Sequence, residues 1–295
     1  MGPSKSKHKF ISFLLSLTFV LISFLHCSVA TSSELVTATI SPLIPQIKQK
    51  IRQYPSLVCG VYIKPSWTET SININGEAQF PAASLIKIPV AVVLLRNIDK
   101  GLIKWDTVLT LKPKHYAQGA GYLRTKRAGT KLELREVFKL MITISDNTAT
   151  NMIIDLLGGI NKVNQEILKL GLKNTRLVNY LGDFKGTNKT SPHDLAELFE
   201  KSLEGELLSS NSRKIFKNTL LKVKNKSLIK KGLGKFTKFA HKTGTIGICV
   251  GDAGIVYLPL WKRVTISIIV RRPFNSLQGQ RIIREITQIV REYLI

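Results

Sequence analysis

The decapeptide from Phe80 to Pro89 is apolar except for one hydroxyl group, on Ser84, and one amine, on Lys87. Side chains three residues apart on a helix lie on the same face, with Cβ atoms about 5–6 Å apart. A helix that begins here therefore lets the Lys87 nitrogen reach the Ser84 oxygen, and that is the arrangement of a nucleophile beside its base. Because Ser-x-x-Lys also occurs by chance in Lys-rich chains, other parts of the sequence must support this interpretation.

Two more polar triplets follow along the chain. Ser145-Asp146-Asn147 lies where one predicted helix ends and the next begins, and Lys242-Thr243-Gly244 lies inside a predicted strand. Ser-x-x-Lys, Ser-Asp-Asn and Lys-Thr-Gly occur in this order in serine enzymes that recognise penicillins. Each motif alone is common, but their order and placement together are a specific signal.

On these motifs the sequence resembles the class A β-lactamase family, and more broadly the β-lactamase-like serine hydrolases, over nearly the whole chain beyond residue 30. The matching stretches are 80–89, 140–151, 241–245 and 252–257. The resemblance implies an α+β fold of the β-lactamase/transpeptidase type, in which an antiparallel five-stranded sheet flanked by helices lies beside an all-helical subdomain. It also implies a hydrolase that opens the β-lactam ring of penicillins through an acyl-enzyme on Ser84, in the cleft between the two parts.

The catalytic roles that this resemblance implies agree with the chemistry of the side chains. Ser84 needs a base, and Lys87 can serve if burial and the nearby positive charge of Lys242 lower its pKa. Ser145 can pass a proton to the leaving amide nitrogen. We expect the backbone N–H groups of Ser84 and Thr245 to bind the oxyanion.

Other residues of the motifs are expected to bind the substrate. Asn147 can hold the amide side chain of an acyl substrate, because its own amide group both donates and accepts hydrogen bonds. Lys242, Thr243 and Thr245 present charge and hydroxyl groups to a substrate carboxylate. Gly244 has no side chain to obstruct an extended substrate that lies beside the strand.

One loop departs from the class A pattern. Class A enzymes hydrolyse the acyl-enzyme with a water that a loop glutamate activates, and the matching region here, 175–188, contains no glutamate. Asp183 is the only carboxylate in this region. Its side chain is one methylene shorter, and a misplacement of about 1 Å costs a positioned base on the order of 10²-fold in rate. Asp183 is therefore a candidate base for deacylation, with the capping of a turn as the alternative.

This departure leaves three functions open. With competent deacylation the protein is a β-lactamase. Without it, the same residues make a slow penicillin-binding D,D-peptidase that acts on peptidoglycan peptides, and a third hypothesis is a non-catalytic binding protein of the cell envelope. The expected partners are a small β-lactam or a peptidoglycan peptide, with no cofactor, and we expect a monomer.

The N-terminus has the order of a secretory signal peptide. Lys5, Lys7 and Lys9 precede the apolar run 10–25, and the small-residue tripeptide 28–30 follows it. This order predicts cleavage after Ala30 and an exported protein, periplasmic or extracellular, with an uncleaved membrane anchor as the alternative.

The chain is strongly basic. Its net charge is +25 over 295 residues, and its isoelectric point is about 10.1. Such a surface attracts acidic lipid headgroups, anionic wall polymers or carboxylate substrates, and the alternative is a basic face that only keeps the protein in solution. The sequence contains no motif of a nucleic-acid-binding fold, so we expect no nucleic acid partner.

The cysteine and histidine residues predict neither a disulfide nor a metal site. Cys59 and Cys249 lie in apolar, strand-like stretches, where buried free thiols are expected more often than a pair. The five histidines are scattered, without the spacing of zinc ligands.

Hydrophobic periodicity places the strands at both ends of the chain and the helices between them. The predicted helices cover 34–51, 84–97, 131–145, 147–157, 161–170, 191–208 and 277–294, and the predicted strands cover 57–63, 70–74, 239–248, 253–258 and 264–270. The mature domain, 31–295, is thus expected to divide into an α/β part, approximately 34–84 and 209–295, and a helical part, approximately 85–208.

Overall fold

The protein is described here by a computed structural model that covers residue 40, residues 42–205 and residues 207–295. The predicted signal peptide and the start of the predicted helix 34–51 lie outside these residues. In the part that is covered, no helix has both the length and the apolar character that crossing a bilayer requires.

Nine strands occur in the described chain. They are β1 (Val58–Pro65), β2 (Ile72–Ile74), β3 (Phe80–Pro81), β4 (Val108–Thr110), β5 (Lys131–Glu133), β6 (Lys189–Thr190), β7 (Lys238–Ile246), β8 (Cys249–Tyr257) and β9 (Arg263–Arg271). Five of them form an antiparallel sheet in the order β2-β1-β9-β8-β7, and the other four form two small two-stranded sheets. The predicted α+β architecture and the five-stranded antiparallel sheet are confirmed.

Nine α-helices occur in the same residues. They are α1 (Leu43–Arg52), α2 (Lys87–Asp99), α3 (Leu134–Thr143), α4 (Asn147–Leu156), α5 (Ile160–Lys169), α6 (Pro192–Glu204), α7 (Ser210–Leu220), α8 (Ile229–Leu233) and α9 (Gln278–Leu294).

Neighbouring residues of the sheet point into two different hydrophobic cores. Ile268 of β9 belongs to the core shared with α1, α8 and α9, whereas Ile269 belongs to the core shared with α2 to α7. This separation follows from the alternation of side chains along a strand. Both faces of the sheet are covered, so the site must lie at an edge or an end of it.

The chain's two strand regions meet in the centre of the sheet. Strand β1 pairs with β9, with Val61 opposite Ile268, and β9 continues through β8 to β7. Strand β7 is therefore an edge strand, and its outer side is free to face other elements.

Local predictions were wrong in several places. The strands predicted at 239–248 and 253–258 run from Lys238 to Ile246 and from Cys249 to Tyr257, so residues 249–252 belong to β8. Residues 131–133 form strand β5, which pairs with β4, and the helix begins only at Leu134. Helix α6 ends at Glu204 because Gly205 adopts a left-handed φ of 111°. Helices α7 and α8 lie in the basic segment after residue 208, where no helix was predicted.

The prediction of free, buried thiols is confirmed for Cys59 and Cys249. Their strands, β1 and β8, are separated by β9, which puts them about 9–10 Å apart and beyond the reach of a disulfide. Burial raises the pKa of each thiol to about 12, so neither is a reactive thiolate at neutral pH.

Candidate active site

Ser84 lies in a strained turn between a strand and a helix. The preceding Ala83 has a φ of 45°, a left-handed conformation that costs an alanine about 1–2 kcal/mol. On one side the Ala82 N–H donates to the Asn188 carbonyl at 2.8 Å. On the other side a 3₁₀ turn, Ala83–Ile86, leads directly into α2. The surrounding structure thus fixes the Ser84 hydroxyl at the start of a buried helix.

Lys87 is completely buried beside this hydroxyl. Its Nζ lies 3.0 Å from Ser84 Oγ, 3.0 Å from Ser145 Oγ, 2.8 Å from the Ser145 carbonyl oxygen and 2.7 Å from Asn147 Oδ1. An ammonium group has three protons and cannot donate to all four oxygens, whereas a neutral amine can accept the Ser84 proton. The predicted contact between nucleophile and base is therefore present.

The pKa of Lys87 is held well below its ordinary value. Burial is the main cause, the positive charge of Lys242 adds to it, and the carboxylate of Asp146 opposes it. This shift favours the neutral amine that a general base for Ser84 requires.

Ser145 links the two buried lysines. Its Oγ lies 3.0 Å from Lys87 Nζ and 3.0 Å from Lys242 Nζ. The residue has a φ of 62°, which turns the chain back between α3 and α4. These contacts form a continuous path for a proton from Ser84 through Lys87 to Ser145.

Asp146 holds this turn in place, a role that only its position before a helix indicates in the sequence. The carboxylate is fully buried. Its Oδ1 accepts from the backbone N–H of Ala149 at 2.9 Å, which caps α4. Its Oδ2 accepts from the backbone N–H groups of Tyr122 and Leu123 at 2.8 and 2.9 Å. One carboxylate therefore joins the start of α4 to the loop that passes over it.

Asn147 is engaged within the protein. Its Oδ1 accepts from Lys87, and its Nδ2 donates to the Gln118 carbonyl at 2.7 Å. Only 6% of the residue is exposed. The amide thus ties loop 117–121 to the lysine, and its expected contact with a substrate amide stays a prediction.

Strand β7 brings the third motif to the cleft. Lys242 is 1% exposed, and its Nζ also donates to the Thr243 carbonyl at 2.8 Å. Thr243 and the exposed Thr245 line the cleft. Because β7 is an edge strand, some of its backbone groups face outward, which is compatible with Thr245 as an oxyanion donor.

Packing explains why residue 244 is a glycine, which the sequence did not reveal. A Cβ at this position would lie 3.0 Å from the Leu85 backbone nitrogen and 3.1 Å from the Ala82 carbonyl oxygen. These distances are shorter than most Cβ contacts, and backbone atoms yield little. Glycine therefore lets β7 approach the turn that carries Ser84.

A buried hydrogen-bonded pair, His241 and Asp252, lies next to Lys242 on strands β7 and β8. His241 Nδ1 lies 2.8 Å from Asp252 Oδ1, and the other carboxylate oxygen accepts from the Ile229 N–H at 3.1 Å. Burial lowers the pKa of Lys242 to about 7, although the Asp252 carboxylate opposes this shift. A pKa in this range makes the charge of Lys242 sensitive to pH near neutrality.

The cleft has a volume of about 280 Å³. Besides the predicted residues, its lining includes Ala120 and the segment 223–225, for which no role was predicted from the sequence. The Lys224 N–H donates to the Thr143 carbonyl at 2.9 Å and fixes this segment beside the Ser145 turn. Lys224 is a second cation in the lining, and no Asp or Glu is among the described residues that line the cleft.

Asp183 lies in its loop with both carboxylate oxygens engaged. Oδ1 accepts from the Thr187 hydroxyl at 2.8 Å, and Oδ2 accepts from the Asn188 N–H at 2.7 Å. The residue is not among those that line the cleft. Its placement favours the turn-capping alternative over the role of a base.

One group of possible metal ligands occurs in the described residues, although the spacing of Cys and His predicted none. It consists of Glu77, His193 and Asp194. Asp194 Oδ2 already accepts from the Asn174 N–H and the Thr175 hydroxyl, and His193 contacts Glu77 at 3.2 Å. The protein's own hydrogen bonds account for this group.

We expect the pH profile of acylation to identify the two lysines. The kcat/KM value should rise as Lys87 loses its proton, since the base must be neutral. It should fall as Lys242 loses its proton, at about pH 7, since Lys242 must be positively charged to bind the substrate carboxylate. Lys242→Arg should remove the falling limb, because arginine stays protonated. Lys224→Arg is the matched control and should keep it; a falling limb that persists in Lys242→Arg would assign it to another group.

Comparison with known protein sequences identifies the family of this chain. Residues 42–294 match the model of a family described as the Beta-lactamase enzyme family. Beta-lactamase VEB-1 of Pseudomonas aeruginosa is 25% identical over 257 residues, which cover 80% of this chain and 85% of the relative. Extended-spectrum beta-lactamase PER-1 of the same species is 24% identical over 278 residues, which cover 88% and 90%.

Solved structures agree as well. PBP-A is 42% identical with a TM-score of 0.83, and the match covers 86% of this chain and 96% of that one. A leucine-to-glutamate mutant of PBP-A is known as an acyl-enzyme complex with penicillin G. The extended-spectrum β-lactamase TLA-1 is 28% identical with a TM-score of 0.80, and the match covers 87% of this chain and 99% of that one. By its family match, its fold and its site, the chain belongs to the β-lactamase enzyme family, the serine hydrolases that act on β-lactams.

Proposed function

We propose that the protein opens the β-lactam ring by acylation of Ser84 and releases the acyl group slowly, and that its physiological substrates are carboxylate-ended peptides such as those of peptidoglycan. The observation that carries the proposal is the continuous set of contacts from Ser84 Oγ through Lys87 Nζ and Ser145 Oγ to Lys242 Nζ, each 3.0 Å long.

Each step of acylation has a residue in reach. Lys87 takes the Ser84 proton as the oxygen attacks the carbonyl carbon, and a tetrahedral intermediate forms. Ser145 then gives a proton to the leaving nitrogen and is reprotonated by Lys87 or Lys242. The ring C–N bond breaks, and the acyl group stays on Ser84. Lys242 and Lys224 bind the substrate carboxylate.

Slow deacylation is supported by the composition of the cleft. Hydrolysis of the acyl-enzyme needs a base that activates water, and the charged side chains in the described lining are Lys224 and Lys242. Asp183 is held by Thr187 and Asn188. A second candidate function, a β-lactamase with rapid turnover, is favoured by the relatives VEB-1 and PER-1, which are named β-lactamases.

We place this activity outside the cytoplasm, in the cell envelope. The N-terminal order of basic, apolar and small residues supports export, and the net charge of +25 supports contact with an anionic surface of the envelope. The free protein is proposed to act as a monomer.

Intact-mass spectrometry over time separates the two candidate functions. The protein is mixed with benzylpenicillin, free drug is removed, and the adduct is followed together with hydrolysis of the drug. A long-lived adduct with little turnover, together with cleavage of a D-Ala-D-Ala peptide, supports the slow peptidase. A transient adduct with rapid turnover supports the β-lactamase. Absence of both adduct and turnover with every penicillin and cephalosporin tried would contradict acylation itself.

Stability and adduct lifetime together distinguish a structural role of Asp183 from a role as the base of deacylation. Asp183→Ala should lower the free energy of unfolding by about 2–3 kcal/mol, because the buried Asn188 loses a charge-assisted hydrogen bond. The lifetime of the penicillin adduct, measured by mass spectrometry, should not change in protein that remains folded. A large increase in adduct lifetime for both Asp183→Ala and Asp183→Asn would restore Asp183 as the base of deacylation.

A further inference from the structure

The hairpin between β8 and β9 ends in an apolar tip. Its central residues, Leu260 and Trp261, are 84% and 93% exposed. The Lys262 N–H donates to the Pro259 carbonyl at 3.3 Å, which closes a four-residue turn. Two large apolar side chains are therefore exposed to solvent at the end of a regular hairpin.

The backbone of this turn is strained. Leu260 and Trp261 have φ values of 56° and 60°. Two consecutive positive φ values are the conformation of a type I′ turn, in which Asn-Gly is the preferred pair because it adopts them at low cost. Leucine and tryptophan make the same turn at a cost in free energy, and because both are largely exposed, burial within the chain offsets little of that cost.

A second exposed aromatic side chain and several cations surround the tip. Phe236 is 94% exposed and borders the same groove, of about 780 Å³, as Leu260 and Trp261. Lys217, Lys238 and Lys262 also line this groove. Its single acidic residue among those described, Glu204, pairs with Arg263 at 2.9 Å.

We propose that this aromatic-basic tip docks on an anionic lipid bilayer. Leu260, Trp261 and Phe236 would enter the interface, where tryptophan is enriched, and the lysines around them would contact acidic headgroups. The charge of the groove and the net charge of +25 both complement such a surface. A wall polysaccharide offers no apolar phase for leucine and phenylalanine, so the lipid surface is the better match.

Docking in this way leaves the cleft open. Strands β7 and β8 pair from Lys238 opposite Tyr257 to Ile246 opposite Cys249, so the tip lies beyond the Lys238 end. Thr245 is seven residues further along β7, a distance of about 23 Å. The active site would therefore lie well away from the bilayer surface, where substrates in the envelope can reach it.

Vesicle binding tests this inference. The chain from Thr31 is used, since both hydrophobic cores lie within residues 40–294. It should sediment with mixed phosphatidylcholine–phosphatidylglycerol vesicles at low salt and less well with pure phosphatidylcholine. Leu260→Ser/Trp261→Ser should lower the partition coefficient about tenfold or more, with unchanged circular dichroism and thermal stability. The matched control is Leu102→Ser/Leu168→Ser, which removes two exposed leucines elsewhere and should leave binding unchanged.

Fluorescence provides a local readout. Trp261 emission should shift to the blue when anionic vesicles are added, and Trp261→Phe should lose the shift but still bind. Equal vesicle binding by the wild type and the double serine variant would overturn the inference. So would binding to isolated sacculi but not to vesicles, or self-association through the tip in the absence of lipid.

Discussion

Replacing Lys87 by Gln is expected to slow acylation of Ser84 by about 10²–10⁴-fold, the usual contribution of a positioned general base. Glutamine is one bond shorter than lysine and can keep only some of the hydrogen bonds around Lys87 Nζ, and it cannot take the Ser84 proton. Lys87→Arg should be as slow, because arginine stays charged at every accessible pH. The measurement is the pseudo-first-order rate of labelling with a fluorescent penicillin.

Lys224→Gln provides the matched control for this prediction. It removes a cation that lines the cleft but makes no contact with the Ser84 hydroxyl among the described hydrogen bonds. We expect it to raise the penicillin concentration needed for half-maximal labelling and to change the limiting rate little. A Lys87→Gln protein that is labelled at the wild-type rate would exclude Lys87 as the base.

Replacing Asp146 by Ala is expected to lower the free energy of unfolding by about 3–5 kcal/mol. The change leaves the backbone N–H groups of Tyr122, Leu123 and Ala149 without their acceptor, and each buried orphan group costs about 1–3 kcal/mol. The values do not add fully, because the loop can relax. The measurement is chemical denaturation, with labelling of Ser84 as a second readout.

Asp155→Ala is the corresponding control for a surface carboxylate. Asp155 pairs with Lys114 and His115, and its side chain is 24% exposed. We expect a loss of about 1 kcal/mol or less, as is usual for ion pairs near the surface. An Asp146→Ala protein no less stable than Asp155→Ala would show that the buried carboxylate does not hold the turn.

The residues that meet at the candidate active site could be predicted because they lie in short motifs. Ser84 and Lys87 are joined by helical spacing, which is local, and their contact with Ser145 could be expected from the order of the motifs. Asn147 was predicted to hold a substrate amide, and Gly244 to leave room for an extended substrate, and both stay predictions. The structure adds contacts within the protein: the Asn147 amide lies between Lys87 and Gln118, and Gly244 lies against the Leu85 backbone. Such partners are far away in sequence, so spacing could not reveal them.

The parts that were missed depend on tertiary contacts. Helices α7 and α8 lie in a lysine-rich segment, and the many lysines weaken the hydrophobic periodicity from which a helix is predicted. Phe216 and Leu220 of α7 are buried because other elements cover them. The segment 223–225 reaches the cleft through a backbone contact with Thr143. For Asp183, the absence of a loop glutamate was visible in the sequence, but the hydrogen bonds that occupy its carboxylate were not.

Locating the penicillin adduct tests most directly whether Ser84 is the nucleophile. The protein is incubated with benzylpenicillin, quenched and digested, and the modified peptide is identified by tandem mass spectrometry. We predict one modified residue, Ser84, no adduct in Ser84→Ala, and a slower-forming adduct at the same residue in Ser145→Ala. An adduct on another residue, or one that persists in folded Ser84→Ala, would contradict the assignment of Ser84 as the nucleophile.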